Sequence, residues 1–94
     1  MRRAIFLTTM MAAAVAALAG VTKVQQGDRV TLVRSLGDGL TYLVETPHGK
    51  ERWRDRDHHY LALSGETCRV VKSLGTEVQL YVPVMDGAYW FVVE

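Results

Sequence analysis

From Gly27 onward, apolar and polar residues alternate in short runs separated by turn-forming residues. Val30, Leu32 and Arg34 alternate with Thr31 and Val33, the period of two that predicts a β-strand. Ser35-Leu36-Gly37-Asp38-Gly39 reads as a turn, and Leu40 to Thr46 as a second strand. Pro47-His48-Gly49-Lys50 turns the chain again, because proline fixes φ and glycine permits positive φ. Glu51 to Arg54 begins a third strand. The same order returns further on, with strands predicted over Thr67 to Lys72, Glu77 to Met85 and Ala88 to Val93. Asp86-Gly87 is the hairpin signal between the last two.

The two blocks are copies of one pattern. At an offset of 38 residues, Gly27 to Gly37 aligns with Gly65 to Gly75 without a gap, and Ser-Leu-Gly follows a basic residue in both. Further along, Leu40 meets Val78, Val44 meets Val82, Gly49 meets Gly87 and Trp53 meets Phe91. A lone three-stranded unit is not stable in water, whereas two such units facing each other can close one core. The expected fold is therefore all-β: a small barrel or sandwich of about six antiparallel strands, built from two repeated meanders over 27–53 and 65–91. Its interior is expected to hold Val30, Leu32, Tyr42, Val44, Cys68, Val70, Leu80, Val82, Trp90 and Val92. The domain spans 23–94, with helix expected only before it.

The stretch before the domain is of another kind. Arg2 and Arg3 precede an uncharged run from Ala4 to Val21, and Ala17-Leu18-Ala19 fits the small-x-small rule of a cleavage site. Such a run also approaches the length that spans a bilayer. Residues 1–22 are read as a signal peptide or a membrane anchor. Both put the β domain outside the cytoplasm, either periplasmic or extracellular, or held at the inner membrane, because Arg2 and Arg3 stay inside. No cysteine follows the run, which disfavours a lipoprotein.

Charge narrows the class of partner. The 94 residues carry 11 Lys and Arg against 10 Asp and Glu, and without Arg2 and Arg3 the basic count falls to 9. This balance argues against a nucleic-acid partner, whose grip needs many phosphate-neutralising cations. Cys68 is the single cysteine, so no intrachain disulfide forms, and its apolar neighbours place it in the core.

The spacing of glycine and valine carries a resemblance. Leu63-x-Gly65-x-x-Cys68-x-Val70-Val71-x-x-x-Gly75-x-x-Val78-x-Leu80-x-Val82 resembles the oligonucleotide/oligosaccharide-binding-type barrel of NfeD-like membrane proteins. The Gly-acidic start and Gly-x-x-x-aromatic end are also similar to bacterial Src-homology-3-like domains, exported modules that bind peptides or wall material. The resemblance covers 20 to 30 residues per copy and implies no catalytic residues. The chain departs from the NfeD-like pattern in its one hydrophobic segment and its extra C-terminal hairpin.

The most polar stretch runs from Lys50 to His59. If extended, Lys50, Arg52, Arg54 and Arg56 line one face, and Trp53, Asp55 and Asp57 the other. A basic row beside an exposed Trp53 suits an anionic polymer, a lipid head group or an acidic peptide. The same row also reads as a solvated edge strand whose charges block edge pairing. Tyr81, Tyr89 and Phe91 are assigned to the outer face, where with Trp53 they form an aromatic patch unless a partner or second copy covers it. Asp55, Asp57, His58 and His59 are the nearest approach to metal ligands, but their spacing matches no zinc site. There is no nucleophile elbow and no phosphate loop before a helix, so neither an enzyme nor a cofactor is expected. The expected role is a non-enzymatic binding module that presents its barrel to a protein, cell-envelope or membrane partner. The alternatives are a structural subunit of a membrane-associated assembly, with a homo-oligomer open, and a small metal protein using the Asp/His cluster.

Overall fold

The computed structural model describes residues 20–94. The helix expected in the N-terminal segment lies outside the described residues. Six strands form: β1 (Arg29–Ser35), β2 (Thr41–Thr46), β3 (Gly49–Asp55), β4 (Glu66–Ser73), β5 (Glu77–Val82) and β6 (Gly87–Val93). One 3-10 turn, Pro83–Met85, lies between β5 and β6. The strands close into an antiparallel barrel in the order β1-β2-β3-β6-β5-β4. A lone meander would leave two edges of unpaired N–H and C=O groups, and joining two meanders removes all four.

The joints are symmetric. Across β1 and β4, Val30 pairs with Cys68, Arg29 with Arg69 and Thr31 with Thr67. Across β3 and β6, Arg54 pairs with Val92, Trp53 with Val93 and Asp55 with Phe91. Exchanging residues 38 apart turns each set of pairs into itself. An approximate two-fold axis thus passes through the Val30–Cys68 pair on one side and the Arg54–Val92 pair on the other. Backbone bonds obey it: Gly27 N–H donates to Val70 O at 2.8 Å, and Gly65 N–H to Leu32 O at 2.6 Å. So do the bulges, between Leu32 and Arg34 in β1 and between Val70 and Lys72 in β4.

The turns break the symmetry and correct the single-offset alignment. Residues 36–40 join β1 to β2, whereas only 74–76 join β4 to β5. The second hairpins reverse the difference, with 47–48 in the first copy and 83–86 in the second. Between these turns the correspondence shifts by two: Tyr42 matches Val78, and Val44 matches Leu80 rather than Val82. The Asp86-Gly87 signal is likewise shifted. Pro83 has no N–H to continue the ladder, so β5 stops at Val82. Asp86 takes the left-handed conformation at φ 50°, while Gly87 opens β6 opposite Val82.

One contiguous core fills the barrel. Val30, Leu32, Tyr42, Val44, Cys68, Val70, Leu80 and Val82 are inside, as their alternation predicts. Trp90 and Val92 are not: Phe91 and Val93 point inward in their place, with Val78 and Trp53. Trp53 and Phe91 are both 0% exposed. The run Tyr89-Trp90-Phe91-Val92-Val93 is apolar at every position, so alternation alone cannot assign its faces. Its pairing does: Phe91 sits opposite Val78, and Val93 opposite Trp53. The indole N–H of Trp53 is satisfied by Glu51 Oε1 at 2.9 Å. Val24 and Leu63, from the segments leading into each copy, are buried against the same core.

Candidate binding surface

The interior is filled by side chains, so the surface open to solvent is the outer wall. Strand β3 places its residues by simple alternation. Lys50 and Arg52 are exposed, Arg54 is half-buried, and Arg56 is exposed in the turn beyond the strand. The four basic residues are thus outside, while Trp53 and Asp55 are inside. Trp53, expected to be exposed beside the row, is therefore buried; the tryptophan beside the row is the half-buried Trp90 on β6, with the Arg56 guanidinium carbon 5.1 Å from its ring centre. That geometry is a cation–π contact.

Half of the basic row is already neutralised. Arg54 Nη1 donates to Glu94 Oε2 at 2.6 Å. Arg56 donates to Asp57 at 3.1 Å and to Glu77 at 3.0 Å. Hydrogen bonding from Arg56 holds the Asp57 carboxyl below its ordinary range, and Asp57, then Glu77, raises the pKa of Arg56. Lys50 faces Glu45 in the register and Arg52 faces Leu43. Tyr89, expected outside, is half-buried and packs on the core.

The Asp/His stretch forms a latch. Asp55 is 2% exposed. Its Oδ2 accepts the backbone N–H of His59 at 2.7 Å and of Tyr60 at 3.2 Å. His59 Nδ1 lies 3.5 Å from Asp55 Oδ1, which is buried without a hydrogen bond. The His59 ring stands edge-on to Tyr89, with centroids 5.1 Å apart. His58 and Tyr60 both take positive φ, 56° and 54°, a conformation unfavourable for side-chain-bearing residues. The carboxylate holds this bent segment in place. Further along, Tyr42 donates its hydroxyl to Leu61 O and accepts the Leu63 N–H at 3.4 Å, and burial raises its pKa. Among the described residues, no group of three or more His, Cys, Asp or Glu is placed to hold a metal ion. Asp57 is turned to Arg56 and His58 to Tyr60, with rings 6.4 Å apart.

A second surface lies across the barrel, on the β1–β4 joint. A groove of about 420 Å³ is lined by Arg29, Thr67, Cys68, Arg69, Tyr81 and Pro83. Arg29 and Arg69 face each other directly in the register, and both are exposed. Arg69 Nη1 donates to Gly27 O at 3.2 Å. The Tyr81 hydroxyl donates to Asp86 Oδ1 at 2.7 Å, and that bond raises its pKa. Cys68 lies beneath the groove with its thiol pushed up to about 11 by burial. Of the candidate binding residues read from the sequence, only Tyr81 belongs here. No local pattern marks Arg29 and Arg69: they meet only through the β1–β4 pairing, which the two-fold maps onto the Thr67–Thr31 pair.

Comparison with family models, with curated proteins and with solved structures finds no match.

Proposed function

We propose that this chain is an exported or membrane-anchored binding module whose recognition surface is the outer wall of its barrel. The observation that carries this is the filled interior: Trp53, Tyr42, Phe91, Leu32 and Leu80 occupy the space where a larger barrel would hold a ligand. The glycine and valine spacing shared with NfeD-like and bacterial Src-homology-3-like modules supports the same reading. So does the uncharged run after Arg2 and Arg3.

Capture of partners from a cell-envelope fraction tests it. Full-length wild type is compared with two outer-wall pairs of variants, Arg52→Ala with Trp90→Ala, and Arg29→Gln with Arg69→Gln. Circular dichroism checks that each still folds. Loss of a captured partner by a folded outer-wall variant is the expected result. A partner set unchanged in both pairs removes the outer wall as the recognition surface.

A further inference from the structure

We propose that the groove over the β1–β4 joint takes a carboxylate-bearing segment of a partner polypeptide; this rests on the binding-module reading and gives that reading a site and a ligand chemistry. Directly opposed like charges weaken an antiparallel pair. Folding alone therefore does not favour Arg29 opposite Arg69. Neither has a carboxylate within 4.0 Å among the described residues, whereas Arg54 and Arg56 on the other side of the barrel both do. An external anion would neutralise both guanidinium groups at once.

The surroundings select the anion. A guanidinium presents a planar fork of donors that matches a carboxylate two bonds at a time. Arg69 is tethered through Gly27 O, and the Tyr81 ring is fixed through Asp86, so part of the groove is set before binding. The Thr31 and Thr67 hydroxyls lie 3.4 Å apart beside the pair and add polar partners. Tyr81 and Pro83 form an apolar wall, and Val84 and Met85 beyond it are exposed. Two cations beside apolar side chains suit an acidic residue flanked by apolar ones. A polyphosphate chain needs a longer basic track, and the near-neutral chain does not provide one.

Nitrogen-15 NMR on the full chain in detergent micelles tests the site. The probes are a short blocked peptide with two glutamates between leucines, its glutamine counterpart, inorganic phosphate, and bicelles rich in phosphatidylglycerol. The glutamate peptide is expected to shift the amides of Thr67, Arg69 and Tyr81. Arg29→Gln and Arg69→Gln are each expected to weaken binding about tenfold, the loss of one charge-assisted contact, and the glutamine peptide, which lacks both carboxylates, by at least as much. Equal binding of the glutamine peptide overturns the proposal. So does unchanged binding to the Arg29→Gln/Arg69→Gln double variant. Stronger binding of phosphate or bicelles at the same amides overturns it in favour of a phosphate or lipid site. A partner still captured by the folded double variant removes the groove and leaves the binding-module reading standing.

Discussion

The barrel is closed twice, and the two closures differ. At the β3–β6 joint, aromatic bulk lies inside and matched charge outside: Trp53 and Phe91 flank the axis, and Arg54 and Arg56 each sit on a carboxylate. At the β1–β4 joint the inside pair is small, Val30 and Cys68, and the outside pair is two unmatched arginines. The two-fold maps each joint onto itself and not onto the other, so nothing requires the two joints to be alike. One joint is built to hold the barrel shut, and the other gives up some of that stability on its outer face. Repetition fixes the frame, and the departures from repetition are where other demands show.

Truncation inside the joints is the strongest way to break this comparison. Trp53→Ala is expected to cost about 3–5 kcal/mol in urea unfolding, the usual range for a fully buried aromatic. Cys68→Ala removes one buried sulfur from the other joint and is expected to cost roughly 1 kcal/mol, about one buried methylene. Equal losses would mean that both joints hold the barrel equally.

The next effect concerns Asp55, the one buried acidic side chain among the described residues. Asp55 stands where symmetry places Val93 in the second copy. Asp55→Val therefore keeps the apolar pattern but strips the acceptor from two backbone N–H groups. A loss of about 1–3 kcal/mol is expected, with faster hydrogen exchange at His59 and Tyr60. Unchanged exchange there would show that the carboxylate does not hold the segment.

Smaller effects, opposite in sign, are expected from the outer arginines. Arg54→Gln should lose up to about 1 kcal/mol, as exposed ion pairs do. Arg29→Gln should gain a few tenths of a kcal/mol by removing an opposed like charge, roughly the scale of a cross-strand pair. A loss in thermal unfolding for Arg29→Gln would mean that its charge already has a partner in the folded protein.

The weakest effect comes from the turns, where the copies also differ. Asp38 accepts the Thr41 N–H at 2.7 Å, the Thr41 hydroxyl at 2.7 Å and the Leu40 N–H at 2.8 Å, a cap that the shorter 74–76 turn lacks. These bonds, led by the Thr41 amide, lower its pKa from 3.8 to about 2. A carboxyl with a lowered folded pKa adds stability above its unfolded value and loses it as pH falls through the folded one. The contribution should be complete above pH 3.8 and fade toward pH 2. Asp38→Asn should flatten that part of the acid-unfolding curve, and an unchanged curve would remove the cap from the account.

Strand positions were legible because alternation and turn residues repeat, whereas the choice between a sandwich and the closed barrel came from the pairing of β1 with β4 and β3 with β6. The faces of β1, β2, β4 and β5 followed from alternation, since only one side of each strand is consistently apolar. β6 did not, because Tyr89 to Val93 offers apolar groups to both sides and only pairing chooses between them. Aligning Trp53 with Phe91 already carried the answer: matched positions of a symmetric barrel share a face, so an inward Phe91 goes with an inward Trp53. The β1–β4 groove was not legible at all. It arises from the pairing of two distant strands, and no local pattern announces that Arg29 meets Arg69.

A Cβ added at Gly20 would lie 3.8 Å from Val93 O, so the chain enters the barrel beside the point where β6 finishes. The connection from β3 to β4 spans the equivalent position in the other copy. A circularly permuted domain, with Glu94 joined to Gly20 and the ring opened in that connection, would trace the same closed ring from a new starting point. The order of the two copies along the polypeptide is thus a matter of where the ring is cut, not of how it is built.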